Sequence, residues 1–343
     1  MGGFGRTHRA LARLAFAGTV LCGVLGFSAA HSQDTITLRY GQNKASLKSI
    51  SSLNLNVALA KGFLAAEGIK LDIVPAESST YEPIENLNKG KSEITRTDLI
   101  YLMLDDLNGS DNVAIASELP AKASYSLMVK PDIKSYADLK GKLIALSTPV
   151  DTITITMQKL LALNGLAPSD YRLIEDDSSV GRANCLATGR CDAAAVGQPN
   201  DFDLIDKKLG FHRLGDTSQA LHDFQFNVAA VNRAWGASHK DAVVRFVRAW
   251  ANSFRFIQDR EHRAEVTKIL AESTGFSQDS ARQVLAFYID AGDKGIVPKQ
   301  AELNVTGVGE MIAMMAQEGV LKPPLPPAGR FVDLQYLQAA GIH

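Results

Sequence analysis

Short apolar runs alternate with amphipathic stretches through most of the chain, and residues 127–166 show the pattern most clearly. Within them, LMVK and KLIALS are apolar runs bounded by Pro, Asp and Gly, which is typical of buried parallel strands. The second run leads into the polar turn STPVDT and then into a helix of roughly four turns. Hydroxyl groups and unpaired N–H groups at a helix start favour anions. The turn therefore predicts a docking point for a small polar ligand, although an ordinary helix cap would have the same sequence.

Strand-like and helix-like stretches alternate from residue 36 to residue 232, which predicts an α/β fold with parallel, helix-covered sheets. Amphipathic helices then follow, and KPPLPP predicts an extended strap before a last short helix. The predicted strands are 36–41, 69–76, 93–95, 112–119, 127–130, 142–147, 171–175, 191–197, 211–214 and 224–232. The predicted helices are 51–67, 81–88, 98–107, one beginning near 152, 179–188, 201–208, 240–260, 263–273, 277–290, 301–318 and 332–340.

This order of elements predicts two α/β lobes. Residues 33–119 together with 222–343 form a discontinuous lobe 1, and residues 120–221 form lobe 2, inserted between its parts. The chain would cross between the lobes twice. Two such crossovers form a hinge, and the cleft between the lobes is the expected ligand site.

The first 32 residues predict a secretory signal peptide. Three arginines precede an apolar stretch, and small residues follow it, so cleavage after Ala30 or Ser32 is expected. A single membrane anchor is the alternative. No later stretch approaches the ~20 apolar residues that cross a bilayer, which predicts a soluble mature chain in the periplasm.

Charge and motifs exclude several classes of function. Removing residues 1–32 removes three arginines and no carboxylate, which leaves 33 basic against 37 acidic residues, so nucleic acid is not an expected partner. The signatures of common hydrolases, zinc proteases and nucleotide-binding proteins are missing, and the mature histidines occur singly. The sequence therefore predicts a protein that is not an enzyme and needs no cofactor and no metal.

Cys185 and Cys191 have a spacing that is typical of neither a zinc site nor a thioredoxin motif. In an oxidising compartment they could form a structural disulfide, or they could be two buried thiols. The sequence leaves both possibilities open.

Five segments in order resemble a known family: ALAKGFLAAEGIKLDIVPA, NKGKSEI, VKPDIKSYADLKGKLIALS, LLALNGLAPSDYRLI and GRANCLATGRCDAAAVGQP. They are similar to the substrate-binding proteins of ABC importers for nitrate, sulfonates, taurine and thiamine precursors, the SsuA/THI5-like, NMT1-like group. The resemblance covers nearly all of the mature chain. It implies the type II periplasmic-binding fold, with two α/β lobes joined by two crossovers.

The resemblance also implies which loops face the cleft. The first loop lacks an aromatic residue that is common there, and Arg96 stands where many relatives have small residues. Both departures weaken an assignment to sulfonates or taurine. The ligand-binding residues carried over in this way are Asn43, Lys44, Ser46, Ser79, Thr80, Tyr81, Arg96, Thr97, Ser147, Thr148, Asp151 and Gln198.

Arg96 is the expected source of charge for the ligand. It follows a strand at the carboxyl edge of a sheet, and a guanidinium binds a carboxylate or sulfonate through two parallel hydrogen bonds. The alternative is an internal ion pair with Asp98 or with another carboxylate. Asp151 would repel a simple anion, so a ligand that also carries an amine stays open.

Together these observations predict a monomeric periplasmic protein that captures a small organic anion or zwitterion, which could be sulfonate-, carboxylate- or pyrimidine-like. Closure of the lobes would present the ligand to an ABC permease and its ATPase in the inner membrane. A sensory ligand-binding protein and an enzyme on the same fold are the alternatives.

Overall fold

The computed structural model describes residues 1–2, 34–77, 81–220, 223–290 and 296–343. Residues 34–343 form one compact unit that contains two five-stranded sheets. The strand orders are β2-β1-β3-β10-β4 and β7-β6-β8-β5-β9, numbered along the chain. We call the part built on the first sheet lobe 1 and the part built on the second sheet lobe 2. The predicted signal peptide lies almost entirely outside the described residues.

Lobe 1 begins the chain and also ends it. Its core forms where apolar faces of the sheet meet those of the C-terminal helices, with Tyr40, Phe246, Trp250 and Phe254 fully buried. Its strands are β1 (Ile36–Asn43), β2 (Ile69–Ala76), β3 (Ile94–Asp98), β4 (Asn112–Ser117) and β10 (Asn227–Asn232). Its first helices are α1 (Lys44–Leu47), α2 (Leu53–Ala60), α3 (Phe63–Ala66), α4 (Glu82–Asn88) and α5 (Leu99–Leu107).

Lobe 2 is a continuous stretch of chain. Its central strands are buried along their whole length, as expected for strands covered by helices on both faces. Its strands are β5 (Ser126–Val129), β6 (Leu143–Leu146), β7 (Arg172–Glu175), β8 (Ala193–Val196) and β9 (His212–Asp216), and its helices are α6 (Thr152–Leu163), α7 (Ser179–Ala187) and α8 (Asn200–Asp206).

Helices dominate the chain after β10. A π-helical turn, Ala286–Asp290, follows directly on α12 and is the end of the helix predicted over 277–290. In the described part of the chain, no helix is both long enough and apolar enough to span a bilayer. The helices are α9 (Arg233–Ser238), α10 (Lys240–Gln258), α11 (Arg263–Thr274), α12 (Gln278–Leu285), α13 (Val305–Gln317) and α14 (Gln335–Ala339).

The expectation of parallel sheets was wrong for two strands. β5 is antiparallel to both β8 and β9, and β10 is antiparallel to both β3 and β4. Each of these strands lies next to a crossover, where the chain arrives from the other lobe. An apolar run shows that a strand is buried but carries no information about its direction.

Two helices also differ from the prediction. The helix expected over 51–67 is interrupted after α2, because Gly62 has φ of +69° and α3 begins only at the next residue. A left-handed residue cannot continue an α-helix, and glycine adopts this conformation at little cost. The helix α9 was not predicted.

The two crossovers that join the lobes are buried against lobe 1. In the first, the fully buried Glu118 accepts hydrogen bonds from Tyr40 Oη (2.8 Å), Trp250 Nε1 (2.9 Å) and Asn54 Nδ2 (2.8 Å). The second is packed against α13: a Cβ on Gly307 would lie 2.6 Å from the Gln225 nitrogen. Both crossovers are thus held in place where they pack against lobe 1. The exact lobe boundaries, 33–119 with 222–343 and 120–221, remain predictions.

Candidate functional site

A cleft between the lobes contains two adjoining cavities that share several wall residues. The inner cavity has a volume of about 180 Å³ and the outer, more open one about 850 Å³. Both are lined by residues of lobe 1, of lobe 2 and of the first crossover. Cavities of 410 and 740 Å³ lie elsewhere, the latter lined by lobe 1 alone. The side chains of the inner cavity include Asn43, Ser46, Ser51, Arg96, Thr97, Asp98, Tyr125, Asp151, Ile153, Asp177, Ser179, Arg182 and Phe226.

Arg96 brings a positive charge into the inner cavity from lobe 1. It lies in β3, between β1 and β10, and only 7% of its surface is exposed. Its Nη2 donates to the carbonyl of Leu119 (3.3 Å), whereas its buried Nε has no hydrogen-bond partner. Among the described residues no carboxylate oxygen lies within 4.0 Å of this guanidinium, so the ion pair with Asp98 does not form. Its charge is therefore available to a ligand.

Arg182 brings a second positive charge, from lobe 2. It lies on α7, the helix that follows β7, and is 1% exposed. Its Nε donates to the carbonyl of Ala195 (2.5 Å) and its Nη1 to that of Asp176 (2.6 Å). Burial lowers the pKa of Arg182, and nearby Asp151 opposes that shift. Sequence reasoning missed this residue, because it lies within α7 and not in the loop that follows β7, where the strand-end rule applies.

Three carboxyl groups line the same cavity. The pKa of Asp98 is raised to about 7 by burial, with a further rise from Asp151 and an opposing effect of Arg96. Asp151 caps α6 by accepting from the Ile153 N–H (2.7 Å), and it also accepts from Tyr101 Oη of lobe 1 (3.2 Å). Burial raises the pKa of Asp151 despite these hydrogen bonds. The third carboxyl group, that of Asp177, is exposed at the rim.

The structure brings seven of the twelve predicted ligand-binding residues to the walls of the cleft. Lys44 lies there in an exposed ion pair with Glu77 (2.8 Å). Gln198 is buried and donates to Asp201 (3.1 Å), while its Oε1 has no partner. The residues on the walls are Asn43, Lys44, Ser46, Arg96, Thr97, Asp151 and Gln198.

Three other predicted residues do not line either cavity. Ser147 is buried and hydrogen-bonds to Asp151, and exposed Thr148 accepts the Asp151 N–H at its carbonyl (3.0 Å). Tyr81 donates to Asp105 (3.2 Å), and burial raises the pKa of its hydroxyl to about 12. Ser79 and Thr80 lie outside the described residues.

Cys185 and Cys191 are free thiols in this structure, and both are buried in lobe 2. Burial raises the pKa of the Cys191 thiol, and a hydrogen bond with Cys185 raises it further. Neither cysteine lines the inner or the outer cavity. Of the two possibilities left open by the sequence, the structure contains the pair of buried thiols.

Comparisons with known proteins agree with this architecture. The NMT1/THI5-like family model matches residues 50–264. The nitrate/nitrite binding protein NrtA of Synechococcus elongatus is 29% identical over 184 residues, which are 51% of this chain and 41% of that protein. The chain thus spans less than half the length of this relative.

Two solved structures have the same fold at low sequence identity. The periplasmic aliphatic sulphonate binding protein SsuA from Escherichia coli is 18% identical with a TM-score of 0.69, covering 90% of this chain and 100% of that one. The desulfurization enzyme DSZB is 17% identical with a TM-score of 0.63, covering 90% of this chain and 99% of that one. The fold is therefore shared by binding proteins and by at least one enzyme.

Proposed function

This chain belongs to the NMT1/THI5-like family, and on that premise we propose that it is the periplasmic solute-binding component of an ABC importer. It captures a small organic anion or zwitterion in the cleft between its lobes and delivers it to a membrane permease and its ATPase. The observation that carries the proposal is Arg96, a buried arginine that lines the inner cavity without an ion-pair partner among the described residues. A buried cation is costly unless it is compensated, and an anionic ligand provides that compensation.

Closure of the lobes provides the mechanism. Arg96 of lobe 1 and Arg182 of lobe 2 approach the ligand from opposite sides, so both can contact it only when the lobes are together. A ligand that contacts both lobes stabilises the closed state by its differential affinity for that state. The permease then recognises the closed form.

The proposal is that the ligand is bound in the cleft and released without chemical change. The shared fold with an enzyme does not decide the matter, since fold does not determine function. However, neither described cysteine lies on the cleft walls, and the two arginines are held by backbone carbonyl groups. An arginine positions and neutralises an anion but cannot act as a nucleophile or general base at neutral pH, so these two residues serve binding.

A thermal-shift screen tests the proposal. Mature protein is heated with sulfonates, aromatic carboxylates, ureides, pyrimidines and nitrate, and a true ligand at a hundredfold excess over Kd stabilises the fold by about 2.7 kcal/mol. Arg96→Ala should abolish the shift, whereas the control Arg172→Ala, at an exposed position, should not. A hit should be recovered chemically unchanged after incubation. The proposal is contradicted if Arg96→Ala shows the same thermal shift as the wild type, or if the protein converts the bound compound into a product.

A further inference from the structure

The inner cavity contains charges of both signs that form no close ion pair with one another. Two guanidinium groups and three carboxyl groups line a volume of about 180 Å³. Among the described residues, no nitrogen of Arg96 or Arg182 lies within 4.0 Å of a carboxylate oxygen of Asp98, Asp151 or Asp177. Charged groups this close would ordinarily pair inside a folded protein. Their separation indicates a site organised around a ligand.

The guanidinium groups are fixed by neutral partners. Carbonyl groups of Leu119, Ala195 and Asp176 accept their hydrogen bonds, which sets their orientation without forming an ion pair. Because the two arginines come from different lobes, an acid group between them would join the lobes. This part of the cavity fits a carboxylate or a sulfonate.

The carboxyl groups, in contrast, require a positively charged group of the ligand. Asp98 is the N-cap residue of α5, yet its side chain makes no capping hydrogen bond. It is close enough to Asp151 of the other lobe for that carboxyl group to raise its pKa. Two carboxyl groups that line one cavity and interact electrostatically repel each other when both are ionised, and a cation between them removes the repulsion. This part of the cavity fits a protonated amine.

A ligand of only one sign would leave half of these groups uncompensated. Resting on the proposed function, we propose that the ligand is a compact zwitterion whose acid group binds Arg96 and Arg182 and whose protonated amine lies between Asp98 and Asp151. The volume of the inner cavity is below the roughly 300 Å³ at which drug-sized sites begin, so the amine and the acid are separated by a short chain.

Probes that differ only in their charged groups test directly whether the site requires both an acid group and an amine. Calorimetric titrations compare β-alanine with propionate and propylamine, and 3-aminopropanesulfonate with propanesulfonate. We expect at least one zwitterion to bind more than tenfold more tightly than its analogue without the amine. Asp98→Asn should remove that preference, whereas the control Asp203→Asn, on the wall of the outer cavity only, should retain it. Circular dichroism verifies that both variants are folded.

The direction of proton transfer on binding is a second readout that needs no variant. An ammonium group beside Asp98 lowers its pKa, so binding near pH 7 releases protons. A simple anion would weaken the effect of Arg96 and cause proton uptake instead. Calorimetric titration in two buffers of different ionisation enthalpy shows whether protons are released or taken up on binding.

The outcomes separate this inference from the function on which it rests. If the amine-free anions bind as tightly as the zwitterions, or if the screen yields an anion while all the zwitterions fail, the inference is wrong and the proposed function stands. Proton uptake on binding also overturns it. If neither these probes nor any compound of the wider screen binds in the cleft, the proposed function fails as well.

Discussion

The guanidinium of Arg213 lies 4.8 Å from the ring centre of Phe287, and the two residues belong to different lobes. Arg213 is on β9, and its position is fixed by an ion pair with the fully buried Asp201. Phe287 is in the π-helical turn of lobe 1, where it also meets the ring of Phe202 edge-on at 6.1 Å. This contact and the hydrogen bond between Tyr101 and Asp151 both hold the lobes together.

Replacing the Phe287 ring should loosen lobe closure. Cation–π contacts contribute about 0.5–2 kcal/mol, so Phe287→Leu should favour the open form and weaken ligand binding by a few-fold up to about 30-fold. Small-angle scattering of ligand-free protein should give a larger radius of gyration. Phe256→Leu is the matched control, because Lys61 lies 4.9 Å from that ring within lobe 1. An equal change in both variants would refute a role in closure.

Two glycines of the same helix should respond oppositely to alanine. At Gly307 a Cβ would meet the backbone of Phe224 and Gln225, whereas at Gly309 it would meet nothing within 4 Å. Gly309→Ala should therefore raise the free energy of unfolding by about 0.5–1 kcal/mol. Gly307→Ala should lower it by about 1–3 kcal/mol, because backbone must move. Urea unfolding measures both, and similar values for the two variants would contradict the close packing of α13 on the crossover.

Glu118 should be a strong contributor to stability. Its removal leaves three fully buried donors, on Tyr40, Asn54 and Trp250, without their acceptor. Glu118→Ala should therefore cost about 3 kcal/mol or more of unfolding free energy. The exposed Glu310 provides the control, and its alanine variant should change stability by less than about 0.5 kcal/mol. A loss below about 1 kcal/mol in Glu118→Ala would show that water satisfies these donors.

Ligand-free protein should lose stability with rising pH because of Asp98. Its pKa in the folded state, about 7, exceeds the ordinary aspartate value of 3.8, so between these values the folded state binds more protons than the unfolded state. The free energy of unfolding then falls as pH rises through this window. Asp98→Asn removes that contribution, so the variant should gain stability relative to the wild type from about pH 4 to pH 7.

Asp138 provides a control of opposite sign. Backbone N–H groups of Lys134 and Ser135 lower the pKa of this carboxyl group, so its contribution is present at neutral pH and is lost as pH falls below about 4. Asp138→Asn should therefore lose stability relative to the wild type at neutral pH. A stability difference for Asp98→Asn that does not vary between pH 4 and pH 7 would place its pKa near the unfolded value.

The sequence predicted those parts of the fold that depend on local pattern. The strand β2 has the bounds expected from IKLDIVPA, and the two-lobed α/β architecture is confirmed. Strand direction was not predictable, since β5 and β10 owe theirs to the lobe from which the chain arrives. The break at Gly62 was signalled by a glycine that sequence analysis did not use.

The site was predicted to a similar degree. Asp151 caps α6 as the helix-cap argument predicts. Arg96 lines the cavity, but it lies within β3, because that strand continues to Asp98 and does not end before Arg96 as predicted. The place of Arg182 in the cavity and the electrostatic interaction of Asp98 with Asp151 depend on how one lobe faces the other. Such contacts join residues far apart in sequence, and a pattern of apolar and polar positions contains no information about them.

The place of β10 also determines the order in which the molecule is completed. This strand lies between β3 and β4, and β4 pairs with no other strand in the described part of the sheet. During synthesis, lobe 2 thus has all five of its strands before the ribosome has made the strand that joins β4 to its own sheet. The lobe that starts the chain is the last to be finished, so a nascent polypeptide that has not yet reached β10 still lacks a complete tertiary structure in its N-terminal lobe.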